Sequence, residues 1–485
     1  MQITLIGLLV LALWAAVAYR RPSDGLLMVV LCMPFGATAV FNLPAVGGLS
    51  LLAANTVAAV TIGLLLARHL SGPDRHMMMS LPPAALALVG FAAYGTLASI
   101  LMPQIFHHAF LVFSMARDVE GGVYPIQGIR SVLVPIEANP SNFSQSAYLL
   151  LGTAYFLALV WLARLRGPGP VHRMLTVAAC INLALAALDS LSLDGLLGIL
   201  RTANYAILSE HAIQGVSRII GGFPEASAFG GYTAALYAYF ASAWLDRRDP
   251  RLGLLALGSG AGAIMALSST AYVSLTVVTA VLLARTLVEA LASGVRVSRL
   301  LTAILGGLAV LALITLLLLL TPLGAAADGL LDELIFNKAE SRSGIERGAW
   351  AAWGLKAFVE TYGLGAGLGS LRSNGLMPVL LSNVGLPGTV CYAAFVWFAF
   401  LRRPPGLLSP EMRMLRRAAS TGALSLFTAQ FLSATTPDPG LALLTYAAIA
   451  TASARMGVPV AAAAPLTPPR GDGRLAARPA RTTGG

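Results

Sequence analysis

The chain has 485 residues, of which 57% are hydrophobic and only 11% charged, with a mean hydropathy of +0.77. Soluble domains carry roughly 25% charged residues, so a soluble enzyme is excluded and a polytopic membrane protein is expected. The net charge of +11 does not imply nucleic acid, because the basic residues fall in short clusters between apolar runs and form no basic stripe or aromatic-interleaved patch.

About 20 apolar residues make a helix long enough to cross roughly 30 Å of hydrocarbon. Apolar runs of that order predict an all-α, polytopic membrane bundle with spans near residues 3–19, 25–41, 49–67, 82–101, 145–163, 174–191, 226–245, 252–268, 270–290, 300–322, 376–400, 415–433 and 440–455, about 13 in all. The first run has no basic leader, and Arg20-Arg21-Pro22 follows it in place of a small-residue cleavage site, so a retained helix is expected. Cys32, Cys180 and Cys391 each lie inside an apolar run and imply neither a disulfide framework nor a zinc site.

Lys and Arg accumulate in cytoplasmic loops. About 23 of the 32 basic residues fall in one alternate set of loops and in the C-terminal stretch, which places the N-terminus outside and the C-terminus in the cytoplasm. The long connections are then the outer ones, 102–144, 192–225 and 323–375. Long loops carry function more often than short ones, so the chemistry is expected to face the periplasm or the outer surface, where ATP and nucleotide sugars are scarce. Residues 1–456 make up the membrane domain. Residues 457–485, rich in Ala, Pro, Gly and Arg, read as a disordered cytoplasmic tail. No internal repeat of the transporter kind is visible.

The loop 102–144 holds Arg117, Asp118, Glu120, Tyr124, Arg130, Glu137 and Asn139-Pro140-Ser141-Asn142-Phe143-Ser144. This polar and aromatic mix suits sugar hydroxyls and is equally ordinary for a surface loop. Only His107, His108 and His211 are histidines of the outer side, and His211 is a weak candidate base. No cluster of carboxylates and histidines has metal-ligand spacing, so no structural metal is expected.

Next in the chain, Arg218-Ile219-Ile220-Gly221-Gly222-Phe223-Pro224-Glu225-Ala226-Ser227-Ala228-Phe229-Gly230 sits where an outer loop enters a span. Two readings of Glu225 stand side by side. Desolvation would tune it toward a general base, with a nearby arginine opposing that shift; or it complements a helix N-terminus after Pro224.

The most informative stretch runs from Ser341-Arg342-Ser343 through Glu346, Arg347, Trp350, Trp353 and Phe358 to Gly363-Leu364-Gly365-Ala366-Gly367-Leu368-Gly369-Ser370-Leu371-Arg372-Ser373-Asn374. Ser343 and Glu346 have capping-box spacing, and the aromatic residues suit a helix lying along the outer membrane surface. The strictly alternating glycines fit no dinucleotide or P-loop pattern. They predict a flexible turn with free N–H groups that, flanked by Arg342, Arg347 and Arg372, would hold an anionic, lipid-attached group. Arg347 also reads as an arginine meeting lipid headgroups.

These stretches resemble the O-antigen ligase and O-antigen polymerase superfamily of bacterial envelope proteins, in particular its exopolysaccharide polymerase-like members. The likeness rests on R-x-x-G-G-F-P-E-A-S-A-F-G from Arg218 and on the stretch from Ser341 through G-x-G-x-G-S-x-R to Leu381-Ser382-Asn383-Val384-Gly385-Leu386-Pro387-Gly388, about 60 residues directly. The many-span plan with a large late outer loop extends it to most of the chain. The resemblance implies a glycosyltransferase that uses an undecaprenyl-diphosphate-linked oligosaccharide on the periplasmic side of the inner membrane. It implies no cofactor and no nucleic acid, with membrane lipids, a chain-length regulator and a flippase of the same pathway as partners.

On that footing Arg218, Arg342, Arg347, Arg372 and Arg130 bind diphosphate or position sugar, and Glu225, or less readily His211, assists the acceptor. Ligases of the superfamily carry a histidine-asparagine pair after the glycine-rich turn, whereas this chain has Arg372-Ser373-Asn374, which favours a polymerase over a ligase. A transporter or flippase for a lipid-linked saccharide is the rival from another class. It would need charges along several spans, and here Asp189 comes nearest to one.

Overall fold

A computed structural model describes residues 2–43, 49–71, 81–115, 123, 131–203, 212–213, 216–292, 342–404 and 406–455. The predicted span 300–322, the first part of the outer loop 323–375 and the tail 457–485 lie outside the described residues. So do Arg117, Asp118, Glu120, Tyr124, Arg130 and His211.

The described chain is mainly helical: α1 Leu5–Arg20, α2 Gly25–Cys32, α3 Ala53–Ser71, α4 Pro83–Ile105, α5 Pro140–Arg166, α6 Gly169–Ser190, α7 Asp194–Leu200, α8 Ala226–Arg247, α9 Pro250–Met265, α10 Ser269–Ala292, α11 Arg342–Glu360, α12 Leu376–Val396, α13 Pro410–Ser433 and α14 Gly440–Arg455. Six of them (α3, α4, α5, α6, α10 and α12 with its continuation to Leu401) are long and apolar enough to cross a membrane. Prolines start several, as their fixed φ and missing N–H allow at a first turn. Asn139 caps α5 ahead of Pro140, Asp249 caps α9 ahead of Pro250, and Ser409 caps α13 ahead of Pro410.

Among the described residues three short antiparallel sheets complete the fold: β1 Gln2–Ile3, β2 Ala39–Leu43 and β3 Leu49–Leu52 in one, β4 Leu111–Phe113 with β5 Leu133–Pro135, and β6 Ala212–Ile213 with β7 Val216–Ser217. They correct two predicted spans. The run 25–41 is helical only to Cys32: Met33 keeps helical dihedrals, but Pro34 brings no N–H to carry the hydrogen-bond ladder on. The chain then becomes the strand β2 beside β1, so it still returns along α1 to the end where α1 begins. The run 49–67 likewise opens as strand β3 before α3 starts at Ala53.

α8 is the centre of the bundle, with 15 of its 22 residues buried, and it packs against α9, α10 and α13. Its small residues permit that. A Cβ on Gly230 would lie 2.8 Å from that of Ala271, and one on Gly231 3.4 Å from that of Ala429. Close backbone approach through small residues is how helices gain contact where solvent exclusion gives no driving force. At the far end of α8, Arg285 of α10 and Arg417 of α13 share Asp246 and Glu289, which ties the three helices. In the first half of α13, Arg416 is buried and donates to the carbonyls of Ala450 in α14 (2.9 Å) and of Arg402, just past the continuation of α12 (2.6 Å), which ties the three segments.

Candidate active site at one end of the bundle

The helices alternate in direction, so the start of α8, the joints α9–α10 and α13–α14, and the segment 361–375 share one end of the bundle. There α11 gives way at Tyr362, and Gly363, Gly365, Gly367 and Gly369 take φ of 79°, 82°, 94° and 77°. A Cβ at Gly365 would come within 2.4 Å of the Gly385 nitrogen, and one at Gly369 within 2.4 Å of the Ser141 oxygen. The alternation therefore answers both to left-handed backbone and to the close approach of α12 and α5.

This turn is not the open anion cradle that its composition suggests. Ala366 N–H donates to Ser382 O (2.7 Å), Gly367 N–H to Asn383 O (2.9 Å) and Gly369 N–H to Asn383 Oδ1 (3.3 Å). Asn142 of α5 donates to Leu368 O (2.7 Å) and Ser370 Oγ (2.8 Å). Buried backbone groups must be paired, and here α12 and α5 do the pairing. Asn142 and Asn139, placed by sequence in a sugar-contacting loop, are a staple and a helix cap. The partner segment of α12 is itself broken: Gly385 has φ 58° and ψ −164°, and Leu386 N–H donates to Gly363 O (2.8 Å).

α11 forms where the sequence predicts it, but with a different face to the protein. Trp350 is buried beneath β4–β5 with Ala349, Phe113 and Leu133, and Trp353 meets the Phe113 ring edge-on at 6.1 Å. The exposed apolar residues are Ile345, Leu355, Val359 and, just beyond the helix, Tyr362. They are the ones free to face lipid. Glu346 accepts a hydrogen bond from Ser131 of the segment before β5. Between the end of α11 and the break in α12 lies an apolar groove of about 540 Å³, lined by Phe358, Val359, Tyr362, Gly363, Leu364, Leu386 and Pro387.

Of the predicted arginines, Arg372 is the best defined. Its backbone N–H donates to Phe113 O (2.9 Å), its guanidinium donates to Met115 O (2.7 Å), and that guanidinium lies 5.0 Å from the Trp350 ring. It clasps the β4 segment to α11. Five N–H donors on one guanidinium allow it to serve a ligand as well. Arg347 is half-buried on α11 and has no hydrogen-bond or ion-pair partner among the described residues. Arg342 begins the same helix.

Arg218 follows β7, next to Ile219, whose N–H donates to Met265 O (3.3 Å), and within electrostatic reach of the Tyr272 hydroxyl. The glycines after it are pinned by a device the sequence did not reveal. Asp189 accepts from the N–H groups of Ile220 (2.7 Å) and Gly221 (2.9 Å) and pairs with Arg201 (2.7 Å), which also donates to Gly221 O. Asp189 is thus a structural anchor for the Arg218–Glu225 segment. We predict that Asp189→Ala lowers the thermal midpoint of the detergent-purified protein by the equivalent of about 3–5 kcal/mol, since it strands a mostly buried arginine. The Asp189→Ala/Arg201→Ala double variant is expected to lose clearly less than the two single losses added together; strict additivity would refute the coupling.

Glu225 precedes α8 as its N-cap residue, but its side chain makes no capping bond. Its carboxylate accepts from the Ser227 hydroxyl. Gly231 of α8 faces Ala429 of α13, and the helices are antiparallel, so the start of α8 is level with the 434–439 joint. That joint carries Asp438, which the sequence reading passed over. Its Oδ1 accepts from Gly440 N–H (3.2 Å) and would lie 3.6 Å from a Cβ on Gly152 of α5. Its charge acts on the hydroxyls of Tyr148 and Tyr392. Burial pushes the carboxyl up to about 6, against the pull of the Gly440 N–H. The residue still keeps some exposure, which a proton-transfer group needs. An acidic residue flanked by prolines in Thr436-Pro437-Asp438-Pro439-Gly440 was the signal available, in a chain with only 21 acidic residues. The segment before Asp438 is joined to the arginine-bearing turn: Gly375 N–H donates to Ala434 O (2.8 Å) and Asn374 to Leu432 O (3.2 Å).

No protein-family model and no curated protein matches the chain.

Proposed function

We propose that this protein is a membrane glycosyltransferase that polymerises undecaprenyl-diphosphate-linked oligosaccharide repeat units into an exopolysaccharide or O-antigen. In this reading the chain crosses the bacterial inner membrane about 13 times, and the bundle end bearing Asp438 and Arg372 faces the periplasm. The observation that carries it is Asp438, a carboxyl pushed up to about 6 at the joint tied to the arginine-bearing turn. A donor that brings its own diphosphate leaving group needs no nucleotide. It needs cations where charge develops on the diphosphate as the glycosidic bond breaks, and a base for the acceptor hydroxyl that attacks the anomeric carbon.

Arg372 and Arg218 supply the first requirement, with Arg347 of α11 as a further cation. Asp438 is a better base than Glu225, because burial has tuned it toward the working pH while Glu225 is engaged with Ser227. The groove between α11 and α12 offers apolar surface for part of a polyprenyl tail. Deleting the gene in its native host and sizing lipid-linked and exported saccharides on a gel tests the reading. Single repeat units are expected to accumulate where long polymer was made. Long polymer retained on its lipid carrier would instead identify a ligase and refute the polymerase.

A further inference from the structure

Two adjacent histidines and a carboxylate 29 positions further on meet at the same end of the bundle, and neither their spacing nor the proposed chemistry calls for it. His107 and His108 follow the last turn of α4, and Glu137 lies between β5 and α5. Consecutive side chains diverge on a helix or strand. Here His108 takes a left-handed φ of 58°, which stacks its ring on that of His107, with centroids 3.9 Å apart and planes 20° from parallel. The β4–β5 pairing then brings in the third group. Leu111 pairs with Pro135, Ile136 N–H donates to Phe110 O (3.0 Å) and His108 N–H to Ile136 O (2.9 Å), so Glu137 faces the histidine pair. The His108 Nε2 to Glu137 Oε2 distance is 3.6 Å, and one ligand atom from each of the three residues lies within 4.8 Å of the others.

We propose that His107, His108 and Glu137 form a binding site for a zinc-class divalent cation, with the remaining coordination left to water. Two imidazoles and a carboxylate are a set that zinc accepts while keeping an open position. Tetrahedral coordination needs ligand atoms roughly 3.3 Å apart. All three side chains are exposed, and binding turns them inward by the difference. The ion fastens the end of α4 to the start of α5 across the base of the 102–144 connection. It sits beside the groove, because Phe106, next to His107, packs against Tyr362 at 6.5 Å.

The test uses the full-length protein, purified through a non-histidine tag, stripped with chelator and titrated with Zn²⁺ against a chromophoric chelator. Co²⁺ serves as the spectroscopic probe. We expect one ion per chain, the visible absorption of a low-coordinate Co²⁺ site, and at least tenfold weaker binding in His107→Ala and in Glu137→Ala. His69→Ala, an exposed histidine in the last turn of α3, leaves binding unchanged. Zn²⁺ should also raise the thermal midpoint of the wild type and not of the two variants. No uptake by the wild type, or equal uptake and equal stabilisation in His107→Ala and Glu137→Ala, overturns the proposal.

Discussion

Asp438→Asn is expected to reduce polymer formation by a factor of about 10²–10⁴, the usual worth of a positioned general base, while the protein remains inserted and folded. The opposite behaviour of activity and stability makes this informative. Burial holds the native carboxyl near 6, whereas an unfolded aspartate titrates near 3.9. The native state therefore binds the proton more tightly, and stability falls as pH rises between roughly 4 and 6 and is level above. The shift is worth about 3 kcal/mol at most, less whatever residual exposure screens.

Asparagine keeps an oxygen for the Gly440 N–H and never ionises. The variant should consequently be as stable as the wild type at pH 7.5 or more so, with its fall in thermal midpoint between pH 4 and 6 removed. Wild-type activity in reconstituted membranes should rise with pH through about 6 as the base loses its proton. A purely structural Asp438 would give a destabilised variant with activity reduced only in proportion, and that outcome would remove it from the site.

The second large effect is expected at the arginines. Arg372→Ala and Arg218→Ala should each reduce polymer formation by about 10²–10³ or more, as loss of a group that neutralises transition-state charge does. Arg372 also clasps β4 to α11 through Met115 O and the Trp350 ring. Its truncation removes that hydrogen bond and cation–π contact, at a cost of about 1–3 kcal/mol. The structural loss shows in the thermal midpoint and the catalytic loss in the saccharide ladder. Arg372→Lys is expected to restore part of the activity, since charge survives, but not all, since lysine lacks the planar donor fork. Full activity in both alanine variants would sink the site as drawn.

The sequence determined by itself whatever depends on local composition and period. Apolar runs bounded by Pro, Arg and Gly located α1, α4, α5, α6, α8, α9, α10, α12, α13 and α14, because span length and N-terminal proline are written residue by residue. The amphipathic helix α11 and the glycine-rich turn after it were also legible. Their partners were not. Trp350 faces β4–β5, and the N–H groups of Ala366, Gly367 and Gly369 are spent on Ser382 and Asn383, because both arrangements depend on how other segments pack against this one.

Only the tertiary structure paired the end of the 25–41 run with β1 and β3, made Asp189 the anchor of Ile220 and Gly221, and brought His107 and His108 to Glu137. It also desolvated Asp438. Asp438 lies against Gly152 of α5, and the loss of water that raises a carboxyl's affinity for its proton is produced by its neighbours in space. Desolvation is a property of what surrounds a residue in space, so a linear reading passes over Asp438, whose carboxyl burial pushes up to about 6.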